Sequence, residues 1–93
     1  MDARIQKLAS VLVNYSIALK PGERLLIRAM SPDAEPLAQA LYEEAFNAGG
    51  LPFVYIMMSQ ESEIALESGA SLEQLETINP MLELMYQTCE GVI

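Results

Sequence analysis

The chain has 93 residues, 13 of them acidic and 5 basic, with one cysteine, no histidine and a net charge of −8. That length suits one small domain with a modest core. It carries no imidazole zinc site, no Ser-His triad and no intrachain disulfide, and its acidic excess argues against nucleic acid and anionic membranes as partners.

Ile5, Leu8, Leu12, Tyr15 and Leu19 recur at spacings of three and four, the stripe of an amphipathic helix over residues 2–19. Lys20-Pro21-Gly22 ends it. Residues 24–29 read as a strand whose central run is continuously apolar, as in a parallel sheet covered on both faces. Ser31 or Asp33 caps the next helix, Pro36 lies in its first turn, and Leu37, Leu41, Ala45 and Ala48 line it. Gly49-Gly50 stops that helix, and residues 51–57 form a second strand. Strand, helix and strand in this span make a βαβ unit with parallel strands and a right-handed crossover.

Three helices follow. The first covers residues 60–68 and ends at Gly69. Ser71 with Gln74 fits a capping box for the second. Asn79-Pro80 starts the third, with Leu82, Met85, Tyr86 and Cys89 on one face and Gly91 closing it. Val92-Ile93 reads as the opening of a third strand. The expected fold class is therefore α/β: a three-layer-like parallel sheet begun by a βαβ unit, with an N-terminal helix and three C-terminal helices. Because a buried strand needs partners for its backbone groups, residues 1–93 are expected to be one incomplete N-terminal α/β domain of a longer protein, cut inside the third strand. Residues 1–7 are polar, and the longest apolar run, 51–58, is broken by Pro52, so neither a signal peptide nor a membrane span is expected. The expected location is the cytoplasm, with Cys89 a reduced thiol.

Charge is unevenly placed. Arg4, Lys7, Lys20, Arg24 and Arg28 all precede residue 29, against Asp2 and Glu23, for a local net of +3. Residues 29–93 hold the other 11 acids and no base. A solvated acidic face is the plain reading; steering of a cationic ligand such as a free amino terminus is the sharper one.

Candidate chemistry is sparse. The loop after the first strand lacks the glycines of a dinucleotide or P-loop site. Glu43-Glu44, Glu61 with Glu63 and Glu73 with Glu76 are paired carboxylates, but only the last pair shares a helix face, and a short acidic helix is usually just solvated. Cys89 reads as a small buried hydrophobe near a helix C-terminus, where the dipole does not activate a thiol. Met57, Met58, Met81 and Met85 read as core filler, and Tyr15, Tyr42, Tyr55 and Tyr86 as core or interface aromatics. Arg24 and Arg28 flank the first strand; pairing with nearby acids is the ordinary reading for both. Arg28 is the better of the two for contact with an anion or carboxylate at the strand's C-terminal edge, where open α/β sheets bind ligands. No catalytic, cofactor-binding or metal-ligating residue is assigned.

Asp2-Ala3-Arg4-Ile5-Gln6-Lys7-Leu8-Ala9, Val13-Asn14-Tyr15-Ser16, Lys20-Pro21-Gly22-Glu23, Ala34-Glu35-Pro36-Leu37, Leu41-Tyr42-Glu43-Glu44-Ala45, Asn79-Pro80 and Gly91-Val92-Ile93 occur in one order along the chain. Together they resemble the N-terminal domain of the thermophilic metalloprotease family, the aminopeptidases of the T and S type. Ala29-Met30-Ser31-Pro32-Asp33 and Gly50-Leu51 depart from the family pattern. The resemblance implies a parent enzyme that removes N-terminal residues from peptides with two divalent metal ions, zinc, cobalt or similar. It places the Glu, His, Tyr and Asp ligands in a C-terminal catalytic domain, so this chain is expected to be inactive alone. It further implies three partners: that missing domain, a peptide substrate, and a second copy in a full-length homodimer. The competing expectation is a free-standing acidic α/β binding or dimerisation module without activity; a small enzyme using carboxylates alone is a third.

Overall fold

The computed structural model describes residues 2–77 and 79–93. Met1, the first of the polar N-terminal stretch, lies outside the described residues. Helix α1 (Ala3–Val11) starts where the Asp2 carboxylate accepts a hydrogen bond from the Arg4 N–H at 2.7 Å. It runs into one π-helical turn over Leu12–Ser16, closed by the Ile17 N–H donating to the Leu12 carbonyl at 2.9 Å. The expected uninterrupted helix over 2–19 therefore ends early, and Ala18 turns the chain away at φ 52°.

The expected stripe is corrected as well. Ala9 and Val13 are fully buried, flanked by Ile5, Leu12 and Ile17, whereas Leu8 is 47% and Tyr15 80% exposed. The cause is the close approach of α1 to α2 (Glu35–Asn47). Ala9 shares one buried cluster with Ala38, Leu41 and Ala45 of α2, and a small side chain at position 9 lets two helices close where leucine would hold them apart.

Strand β1 (Arg24–Ala29) is buried across its centre. It pairs in parallel with β2 (Leu51–Ile56), from Arg24 opposite Leu51 to Ala29 opposite Ile56. On its other side it pairs in parallel with β3 (Gly91–Val92), with Leu25 opposite Gly91. The order is β2-β1-β3, so the sheet is the expected open parallel one with β1 in the middle.

Between β1 and β2, the Ser31 hydroxyl caps a 3-10 turn over Pro32–Ala34 rather than the α-helix itself, and Ala34 precedes α2 without a side-chain cap. At the far end Gly49 takes φ 83°, its N–H donating to Phe46 and that of Gly50 to Ala45. This left-handed stop closes the helix as expected.

Helices α3 (Glu61–Glu67), α4 (Leu72–Glu76) and α5 (Pro80–Thr88) follow. The Ser71–Gln74 capping box is present in both directions, and the Asn79 side chain accepts from the N–H groups of Met81 and Leu82. Gly91 is corrected: α5 ends at Thr88, and Gly91 is a buried residue of β3. A Cβ there would lie 3.0 Å from Ile17 Cγ2 and 3.3 Å from Leu25 Cδ1, so the glycine serves close packing beside β1, not helix termination.

Leu25 and Ile27 face α1 and α2 in the main core. Leu26, Phe53 and Arg28 share the opposite face by strand alternation, and α5 lies on that side. Helices thus cover both faces of the sheet, which is the three-layer arrangement.

Candidate functional site at the sheet rim

Arg28 stands near the C-terminal end of the central strand, where the chain first crosses to β2 and later returns on the far side as β3. That is the switch point at which open α/β sheets take ligands. Its Nη1 donates to the Tyr86 hydroxyl at 2.6 Å, and the guanidinium carbon lies 5.8 Å from the centre of the Tyr86 ring. Its Nε is buried and has no hydrogen-bond partner among the described residues. Among those residues the only ion pair of an arginine or lysine is that of Arg24. The pairing with an acid expected for both arginines therefore holds for Arg24 alone. Tyr55 is the cross-strand partner of Arg28 and rises on the same face.

Arg24 is bound at the other end of β1. Its Nη2 lies 3.5 Å from Glu90 Oε1, and its backbone N–H donates to Glu90 Oε2 at 2.6 Å. The backbone hydrogen bond from Arg24, helped by one from the Glu90 backbone and by the guanidinium charge, holds the Glu90 carboxyl below its ordinary value. Cys89, half-buried, lines a cavity of about 210 Å³ with Arg24, Phe53, Leu84, Met85 and Thr88.

Among the described residues no three of His, Cys, Asp and Glu come together as a metal site. Glu43 and Glu73 are exposed, as are Glu63 and Glu76. Met58 and Met81 are exposed rather than core filler, whereas Met57 and Met85 are half-buried. Tyr42 stacks edge-on with Phe46, ring centres 5.0 Å apart, beside a groove of about 240 Å³ lined by Glu35, Ala38, Gln39, Tyr42, Val54 and Ile56. Sequence reasoning singled out Arg28 but missed Tyr86 and Glu90 as partners. Those contacts span 58 and 66 residues, and no local signal announces them. Among the described residues, no helix is long and apolar enough to cross a membrane.

Two comparisons bear on this arrangement. The family described as thermophilic metalloprotease (M29) matches residues 1–93. No curated protein matches the chain.

Proposed function

Because the chain belongs to the thermophilic metalloprotease family, we propose that it forms the N-terminal α/β part of a metal-dependent aminopeptidase acting on peptides. The family match along residues 1–93 carries this reading. The donor set does not fit a two-metal centre. The sequence has no histidine, and among the described residues no group of three potential ligands converges. The reading therefore places the two divalent ions on a further, catalytic domain and gives this chain the role of supporting the cleft and subunit contacts. It includes a full-length homodimer, a cytoplasmic setting and no activity of the chain by itself.

The experiment is an aminopeptidase assay of the purified 93-residue protein on a leucyl anilide and a tripeptide, with zinc or cobalt added. No release above the metal-only blank is expected. Metal-dependent release by this chain alone would overturn its assignment as a supporting part.

One observation favours interaction as the chain's own role. Leu51, Phe53 and Val54 on edge strand β2, with Tyr42 and Phe46 on α2, are all at least 40% exposed. A second reading is accordingly a binding or dimerisation module. It predicts a cooperatively melting protein that self-associates, without peptidase activity under any metal.

A further inference from the structure

We propose that Arg28, held by Tyr86 beside Tyr55, is a recognition point for the terminal carboxylate of a short peptide. This deepens the aminopeptidase reading by naming how the substrate's acid end is held. Three observations converge on it.

The first is the guanidinium itself. A partly buried cation with no carboxylate beside it is costly, and so is a buried N–H with no acceptor. Arg28 shows both features, since its Nε is buried without a partner and it forms no ion pair among the described residues. Nε is shielded from solvent as the side chain stands. A small turn of the guanidinium toward an incoming carboxylate would bring the Nε–Nη2 edge to bear on two oxygens, the forked geometry at which arginine excels.

The second is position. Tyr86 occupies Nη1 and so anchors one corner of the group, about which the edge that carries the unpartnered Nε can turn toward a ligand. The site lies at the C-terminal rim of the central strand, at the switch point.

The third is charge. Arg28 is the last base in the chain, and everything after it is acidic or neutral. A protein of net charge −8 repels a plain anion but attracts an ammonium group. A zwitterionic peptide meets both demands: its amino end suits a chain of net charge −8, and its carboxylate suits a guanidinium with no counter-ion among the described residues.

The test follows the Arg28 Nε–H signal by NMR in the ¹⁵N-labelled chain, assigned by its loss in Arg28→Lys. Trialanine, its C-terminal amide and inorganic phosphate are the probes. Trialanine is expected to shift the signal saturably, and the amide to bind about tenfold more weakly, as befits loss of a charge-assisted pair. Phosphate is expected to bind no better than the amide. Arg28→Lys, followed through the amide signals of β1, is expected to weaken trialanine about tenfold because a lysine keeps the charge but not the fork. Tyr86→Phe keeps the ring and is expected to weaken binding several-fold with the fold intact. Equal binding of acid and amide, phosphate binding as tight as trialanine, unchanged affinity in Arg28→Lys, or no saturable shift would each overturn the proposal. None of these readouts depends on peptide cleavage, so the site and the aminopeptidase reading can fail separately.

Discussion

Ala18 sits at φ 52° on an exposed corner between the π turn and Leu19. Left-handed backbone costs an L-residue about 1–2 kcal/mol, and a glycine gives back roughly 0.5–1 kcal/mol of that through its freer unfolded state. Ala18→Gly should therefore stabilise the protein by about 0.5–1 kcal/mol. For a domain of this size that is a rise of several degrees in the thermal midpoint, at about 4–8 °C per kcal/mol. Glu90 gives a residue-level prediction in pH. Its carboxyl is held below the ordinary 4.5, first by the Arg24 backbone N–H. A carboxyl with a lowered folded pKa contributes stability above its unfolded pKa and loses it as pH falls through the folded one. The midpoint difference between the native chain and Glu90→Gln should be level at neutral pH and shrink below about pH 4.5. A difference that persisted unchanged to pH 2 would show that the charge of Glu90 contributes nothing.

At the scale of elements, α5 is the loosest of the three layers. It holds no fully buried residue, and it is kept by half-buried Leu82, Met85 and Cys89 together with the Arg28–Tyr86 contact. Its N-terminus depends on Asn79, which accepts at 3.0 Å and 3.3 Å from the next two free N–H groups. Asn79→Ala should cost about 1 kcal/mol. With so little burial the loss should appear as local opening. Amide exchange is expected to rise about fivefold within α5 while β1 stays protected; equal acceleration in both would mean that α5 melts only with the whole domain. This cap was legible in the sequence, as were the Ser71–Gln74 box, the Gly49 stop and the continuously apolar β1, because each is decided by chemistry within a few residues. The same local reading misplaced the inner face of α1. It weighted Leu8 for its size, whereas the packing selected Ala9 for its smallness. Gly91 failed for a related reason: its neighbours Ile17 and Leu25 come close only after the sheet forms. Arg28 could be nominated from its place on a strand, but its tyrosine partner and its lack of a counter-ion among the described residues are properties of the folded chain.

The molecule as a whole is under-covered. It measures 44 × 29 × 16 Å, with a radius of gyration of 15.3 Å where a compact domain of this length has about 12 Å. Its accessible surface is 6448 Å², against about 5,300 Å² for a folded monomer of the same mass. The excess, roughly 1,100 Å², is comparable to the ~800 Å² that each partner buries in a standard protein interface. The exposed apolar side chains of β2 and α2 form one continuous part of the apolar surface left open. Residues 45–60 contain no charged side chain, and among the described residues β2 has no strand beyond it in the sheet, so its outer backbone groups form an open edge. Pro52, which lacks an N–H, partly blunts that edge. Like charge opposes self-association of two copies through this face at low salt. At roughly 0.01 M salt the screening length is about 30 Å, and at 1 M it is about 3 Å. Sedimentation velocity should therefore find monomer at low salt and a growing dimer fraction as salt rises, since screening removes the repulsion between chains of charge −8 while leaving apolar attraction intact. Val54→Glu, which places an acid beside the Tyr42 groove, should return the high-salt sample to monomer without lowering its helix content. If the native chain stays monomeric at every salt concentration, the open face is not self-complementary, and its cover must be a different surface, as the catalytic-domain reading requires.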